Sequence, residues 1–245
     1  MTENTTASTS SMPGLAVVIG ASGGLGAAML AQLQQQAGSY PQVIGISRQT
    51  EIRFDYVDEA SIAAAARQVA SVSRQNSLPL RLLVVATGFL HGEQGQPERS
   101  WNHLDAGYLQ HAFQINTLGP ALVMKHFLPL LPQTGRCVAG FVSARVGSIG
   151  DNALGGWYGY RASKAALNQL VKTASIELTR RNPRSICVAL HPGTVATALS
   201  QPFSKTGLNV RAPEIAAAEL LGVLAGLQPQ DSGHLVDYQG QTLPF

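Results

Sequence analysis

Tyr160 and Lys164 stand four residues apart in Tyr160-Arg161-Ala162-Ser163-Lys164. In a helix that spacing puts a phenol and an ammonium one turn apart on the same face. A free phenol titrates near pH ~10, too high to exchange protons readily at neutrality. A neighbouring cation stabilises phenolate and lowers that pKa. Such a pair can protonate an oxygen on which negative charge develops, the proton step of a carbonyl reduction. Alone, Tyr-x-x-x-Lys is common by chance and mostly marks helix surface, so its weight depends on its company.

Ser143 ends an apolar run, where its hydroxyl can bond a substrate carbonyl and steady a developing oxyanion. Asn116 lies inside a long helical segment, followed by Gly119 and Pro120. Pro120 cannot donate to the Asn116 carbonyl four residues earlier. A kink there frees that carbonyl to hold a water on a proton path toward Lys164; a simple break between two helices fits too. Farther on comes His191-Pro192-Gly193-Thr194-Val195-Ala196-Thr197. Pro192 and Gly193 force a turn, which leaves backbone near Val195 and the Thr197 hydroxyl free for a carboxamide. His191 reads as structural.

The loop Gly20-Ala21-Ser22-Gly23-Gly24-Leu25-Gly26 joins an apolar run to a helical one. Glycines there allow a tight turn, with backbone N–H groups near a pyrophosphate at a helix N-terminus. The spacing is G-x-x-x-G-x-G rather than G-x-G-x-x-G, so alone it is a moderate signal. The second strand runs into Ser47-Arg48 with no carboxylate before Glu51. A guanidinium and a hydroxyl suit a 2′-phosphate, which favours NADP(H) over NAD(H); an ordinary loop arginine remains the plain alternative. In Asp55-Tyr56, the carboxylate either accepts from an adenine amino group or caps a turn.

The elements that must position these groups follow from periodicity. Apolar runs at 15–19, 43–46, 52–54, 82–86, 137–143, 186–190 and 235–236 read as strands. Segments 24–36, 58–73, 104–131, 157–181 and 213–227 read as helices, the second with Asp58 as N-cap and the last with Pro213 at its start. In this alternation, wholly apolar strands mean a parallel sheet covered on both faces, with ligands at the strand C-termini.

With 245 residues, 45% apolar and 13% charged, the chain can build one globular domain over 14–245. Residues 1–13 are polar, rich in Ser and Thr, and lack a secretory signal's basic and apolar regions; they read as a flexible tail. A net charge of +3 gives no case for nucleic acid, and Arg180, Arg181 and Arg184 read as a solvated helix end. No run approaches the ~20 apolar residues of a bilayer span, and the expected compartment is the cytoplasm. The two cysteines, Cys137 and Cys187, sit in apolar runs as buried hydrophobes, and the six histidines show no metal-ligand spacing.

Over nearly all of 15–245 the chain resembles a short-chain dehydrogenase/reductase. The resemblance rests on Gly20/Gly24/Gly26, Asp55, Ala86-Thr87-Gly88, Asn116, Tyr160/Lys164 and Pro192-Gly193. The stretches Gly147-Ser148-Ile149, Gly155-Gly156-Trp157-Tyr158-Gly159-Tyr160 and Asp237-Tyr238-Gln239-Gly240 resemble sniffer-like carbonyl reductases and bacterial C-factor-like proteins. The resemblance implies a doubly wound, Rossmann-type α/β domain with a seven-stranded parallel sheet of order 3-2-1-4-5-6-7. It implies carbonyl/alcohol chemistry on a small molecule, and a homodimer or homotetramer assembled through the two long helices. It assigns catalysis to Tyr160, Lys164, Asn116 and Ser143, with Lys164 also holding the nicotinamide ribose. Cofactor contacts fall on Gly20, Ser22, Gly23, Gly24, Leu25, Gly26, Ser47, Arg48, Asp55, Tyr56, Ala86, Thr87, Gly88, Tyr160, Lys164, Pro192, Gly193, Val195 and Thr197.

Three positions depart from the family pattern: Ile19, Val85 and Ala144. Counting back from Gly147 puts Ala144 where the family carries its catalytic serine. Either Ser143 takes over that role through a small backbone shift, with Ser148 as a fallback, or the oxyanion contact is weaker. Residues 198–212, where relatives shape the substrate lid, suggest an open, partly apolar site. Beside an NADPH-dependent carbonyl reductase stands a second reading, a dinucleotide-binding signalling or scaffold protein with weak or no turnover.

Overall fold

A computed structural model describes residues 13–36, 38–203 and 209–245. The polar segment 1–13, apart from Pro13, lies outside the described residues. The sheet is built from β1 (Leu15–Ile19), β2 (Gln42–Ile46), β3 (Leu80–Val85), β4 (Cys137–Val142), β5 (Ser185–His191), β8 (Leu235–Asp237) and β9 (Thr242–Leu243). The helices are α1 (Gly24–Gln35), α2 (Glu59–Gln75), α3 (Ala106–Phe113), α4 (Gly119–Phe127), α5 (Tyr158–Arg181) and α6 (Pro213–Gly226). Two short strands, β6 (Thr194–Val195) and β7 (Val210–Arg211), pair outside the main sheet.

The order β2-β1-β3-β4-β5-β8-β9 is the doubly wound arrangement, parallel from β2 through β8. Residues of each strand alternate between two cores. Val17, Ile19, Leu83, Phe141, Cys187 and Ala189 pack with α2, α4 and α5, against side chains such as Ile62, Phe127 and Val171. Val18, Val84, Val138 and Val188 pack against Met29 and Leu33 of α1 and Leu220 of α6. Burial on both faces is why these strands are apolar without polar alternation.

Three elements differ in detail from the sequence reading. Segment 52–54 forms no ladder, so β2 is the edge of the sheet. Thr50 bonds both the Ser47 N–H and the Ile52 carbonyl, turning the chain, while Phe54 and Tyr56 pack inward. Their alternation serves core packing, not strand pairing. The far edge is instead β9, which runs antiparallel to β8. Segment 104–131 divides into α3, a π turn at Gln114–Leu118 and α4. Pro120, which lacks an N–H, sits at the start of α4, where it cannot continue the preceding ladder.

Asp58 caps α2 by accepting from the Ala60 N–H. Cys137 and Cys187 are free and buried. Among the described residues no helix is long and apolar enough to cross a membrane, and no group of His, Cys, Asp and Glu could hold a metal ion.

Candidate active site

The C-terminal ends of β1 to β5 open onto two cavities of about 480 Å³ and about 420 Å³. Both are lined by Gly23, Ala86, Thr87 and Gly88, which makes them halves of one elongated cleft. Gly20, Ser22, Ser47, Arg48, Asp55 and Tyr56 line the first half. Gly24, Leu25, Ser143, Tyr160, Lys164, Pro192, Gly193, Val195 and Thr197 line the second. Gly26 and Asn116 line neither, and act from behind the wall.

The glycine loop turns tightly out of β1. Gly20 adopts φ +89°, and its carbonyl accepts from the Gly23 N–H at 3.0 Å. A Cβ on Gly26 would stand 2.2 Å from the Gly20 oxygen, so only glycine lets α1 start there. A Cβ on Gly23 would meet nothing closer than 3.4 Å, and one on Gly88 would project to within 3.7 Å of Lys164 Nζ. The middle of the cleft is thus open backbone beside the N-terminus of a 12-residue helix. That is a cradle suited to a pyrophosphate.

At the first end, Arg48 is exposed and has no ion-pair partner among the described residues. Ser47 Oγ accepts from the Gln49 N–H. Asp55 accepts from the Val57 N–H, so its carboxylate shapes a turn as well as facing the cavity. The Tyr56 hydroxyl bonds Thr87 Oγ1 at 2.7 Å, and burial holds its phenol well above the ordinary range. Its ring packs against Gly119, where a Cβ would fall 2.3 Å from it.

At the other end, α5 begins at the left-handed residue Trp157, φ 53° and ψ 43°. The Trp157 side chain offers the helix no cap, and its ring meets that of Tyr160 edge-on, centroids 6.1 Å apart. Glu98, from the loop after β3, supplies the cap. Its carbonyl accepts from the Trp157 N–H, and its carboxylate accepts from the Gly159 N–H at 3.0 and 3.2 Å. Glu98 is 2% exposed, so this is an internal bond.

Tyr160 and Lys164 emerge on one face, the amine 5.9 Å from the phenol ring centroid and bonded to the Val142 carbonyl at 2.9 Å. Burial pushes the phenol up to about 12 and the amine down to about 7. Burial disfavours phenolate on the one side and ammonium on the other, so each group is held toward its neutral form.

Asn116 lies in the π turn, and its side chain is held by three hydrogen bonds. Its Oδ1 accepts from the Phe89 N–H, and its Nδ2 donates to the Phe89 carbonyl and to Ser163 Oγ. Ser163 in turn donates to the Tyr160 carbonyl at 2.9 Å. This chain of bonds ties the loop after β3 to the turn of α5 that carries Tyr160. Ser143 lines the cleft but is 2% exposed, and its hydroxyl donates to Asn168 Oδ1 at 2.7 Å. Its proton is committed away from the cavity. Ser148 is buried, accepts from the Asp151 N–H and does not line the cleft. Of segment 198–212, residues 204–208 lie outside the described residues.

Sequence reasoning misses Glu98 and Asn168. Glu98 lies 61 positions from the amide it caps, with no local signal. Asn168 does have one: Tyr160, Lys164 and Asn168 recur at intervals of four along the same helical face.

A dinucleotide-sized cleft at the C-terminal edge of a doubly wound sheet, with a tyrosine and a lysine side by side at one end, defines a nucleotide-dependent oxidoreductase. Residues 14–207 match the short-chain dehydrogenase family, and the chain belongs to it. It is an NAD(P)-dependent oxidoreductase of CH–OH and C=O groups. The chain is 38% identical to the C-signal protein of Myxococcus xanthus over 142 residues, 58% of this chain and 81% of that one. It is 37% identical to 1-hydroxy-2-glutathionyl-2-methyl-3-butene dehydrogenase of a Rhodococcus species over 142 residues, 58% of this chain and 61% of that enzyme. Its fold matches an NADPH-bound carbonyl reductase from chicken fatty liver with a TM-score of 0.81 at 24% identity, covering 96% of this chain and 99% of that one. The carbonyl reductase Sniffer of D. melanogaster matches with a TM-score of 0.82 at 22% identity, covering 96% and 100%.

Proposed function

We propose that the chain is an NADPH-dependent reductase of small-molecule ketones or aldehydes. One observation carries the reading: Tyr160 and Lys164 stand together in the wall of a cleft that continues across Gly88 to Arg48, which has no ion-pair partner among the described residues. The Gly20–Gly26 backbone suits the pyrophosphate, and Ser47 and Arg48 suit a 2′-phosphate over a ribose hydroxyl. Pro192, Gly193, Val195 and Thr197 face the end where the carboxamide would lie. When bound, the reduced nicotinamide supplies the hydride that the carbonyl carbon takes up.

The chain's own part is to give the carbonyl oxygen a proton. The Tyr160 phenol, pushed up to about 12, is a neutral acid at physiological pH and thus a donor in the reductive direction. Lys164 holds hydroxyls beside it. Asn116 is a positioning residue, acting on Tyr160 through Ser163 and anchored to the loop after β3 at Phe89. Ser143 reaches a ligand only if it leaves Asn168. The named activity of the Rhodococcus relative and the NADPH of the chicken structure support the choice of chemistry and cofactor.

The C-signal relative and the engaged Ser143 hydroxyl favour a second reading, a dinucleotide-binding signalling protein with little turnover. One experiment separates the two: aldehydes, ketones and quinones are offered with NADPH, and the cofactor absorbance is followed. The reductase consumes NADPH, and Tyr160→Phe cuts turnover by about 10²–10⁴-fold while NADPH binding stays within about 2-fold. Tight NADPH binding with no consumption on any carbonyl decides for the signalling reading.

A further inference from the structure

Protonating a carbonyl oxygen from one side leaves its second lone pair unheld, and catalysis gains most from donors fixed in advance around that oxygen. Near Tyr160 the obvious side chains are already engaged. Ser143 donates to Asn168, Lys164 to the Val142 carbonyl, and the Arg145 guanidinium to both carboxylate oxygens of Asp151. Ala144 has no polar side-chain atom. Thr197 lies against Gly24, at the α1 side of the cleft.

His191 differs from these. It ends β5 and lines the same half of the cleft as Tyr160. In the alternation along β5 it follows Cys187 and Ala189, which face the α5 core, so its ring lies on the side from which Tyr160 projects. The Ser143 N–H bonds the Leu190 carbonyl, which sets the ends of β4 and β5 side by side. The ring's Nδ1 lies 3.2 Å from the backbone N of Arg145. A backbone N–H only donates, so Nδ1 is an acceptor without a proton, and in neutral imidazole the proton is on Nε2. The ring is neutral because burial pushes its pKa down to about 4, with Asp237 and Asp151 opposing and Arg145 and Arg211 assisting. Among the described residues no protein acceptor meets that Nε2–H.

We propose that the His191 Nε2–H is the second hydrogen-bond donor to the substrate oxygen, opposite the Tyr160 hydroxyl. This rests on the reductase reading of the same site and adds a residue to it. The Arg145 amide is then the group that fixes the tautomer, and Ala144 leaves room for the ring to serve.

Two measurements on the full chain test it. With ¹⁵N-labelled histidine, long-range ¹H–¹⁵N spectra of the wild type read the tautomer without any need for turnover. The expected result is a neutral Nε2–H ring that does not titrate near neutrality; an Nδ1–H ring overturns the proposal. In kinetics with NADPH and a reducible carbonyl, His191→Phe is expected to lower kcat by about 10²-fold without moving the NADPH Kd. His191→Gln, which keeps an N–H donor, is expected to recover about 10-fold of that loss. If His191→Phe keeps kcat while Tyr160→Phe loses it, the donor assignment fails and the reductase reading stands. If Tyr160→Phe also keeps it, or the wild type reduces no carbonyl, the reductase reading fails and takes this assignment with it. Should His191→Phe not fold, the tautomer and the glutamine variant still decide.

Discussion

Lys164 is 2% exposed and has one hydrogen bond from its amine, to the Val142 carbonyl. Burial lowers its pKa from 10.5 to about 7. Between those values the unfolded chain carries a proton that the folded chain has released. Stability from this group therefore rises with pH across that window and is lost as the pH falls toward 7. Lys164→Met removes the titration, so its Tm should climb less steeply with pH than that of the wild type. Parallel curves would show that the amine is solvated in a way its surroundings do not suggest. At the opposite end of the cleft the proposed preference for NADPH rests on Arg48. An aspartate there repels a 2′-phosphate and can accept from a 2′-hydroxyl. Arg48→Asp should shift the NADPH-to-NADH ratio of kcat/KM by about 10-fold or more toward NADH; an unchanged ratio would place the selectivity elsewhere.

At the scale of elements, α5 has to hold Tyr160 and Lys164 steady, yet its first residues come out of the left-handed run Gly155, Gly156 and Trp157. Glu98 takes up one of the amides that this entry leaves without a helical partner. Removing a buried acceptor leaves its donor unsatisfied, which costs about 1–3 kcal/mol. Glu98→Ala should lose stability of that order in urea titration. Glu98→Gln, whose carbonyl oxygen still accepts, should lose less; equal losses would mean that the carboxylate's packing, not its bond, matters. This part of the site is hidden in the sequence because no period links a loop residue to an amide 61 positions away. The glycine loop, β1 and α5 are legible for the opposite reason: their signals are local, a turn, a run of five apolar residues and a four-residue spacing. Segment 52–54 shows where local signals mislead. Its alternation is real, but Thr50 and the inward Phe54 turn it to core packing instead of pairing. The π turn around Asn116 is half legible: Pro120 announces an interruption, but the partners of the Asn116 side chain come from two other elements.

For the molecule as a whole, the site depends on the chain reversing direction across the sheet. From β1 it crosses to β2 on one side, and β3 then pairs with β1 on the other, so the ends of β1 and β3 diverge where the two halves of the cleft meet. Groups lining the two ends of the cleft are thereby drawn from both sides of the sheet, with Tyr160 and Lys164 held by α5. The outer face of α5 has a different character. Ala162, Gln169, Thr173 and Ile176 recur there at helical intervals and are exposed, as is Leu118 on the π turn packed beside α5. From Ala162 to Ile176 the stripe carries no charge, Arg180 following it at the end of α5, and Ile176 and Leu118 are each about half exposed. Family resemblance places subunit contacts on these helices, and an uncharged stripe can be buried without desolvating ions. Light scattering behind size exclusion should therefore give a mass that is a multiple of the chain's. Leu118→Lys with Ile176→Lys would bury unpaired cations in such an interface, so the double variant should run as a monomer that retains its far-UV spectrum. A wild type that is already monomeric, or a double variant that still assembles, would leave this face to solvent and require the subunits to meet elsewhere on the fold.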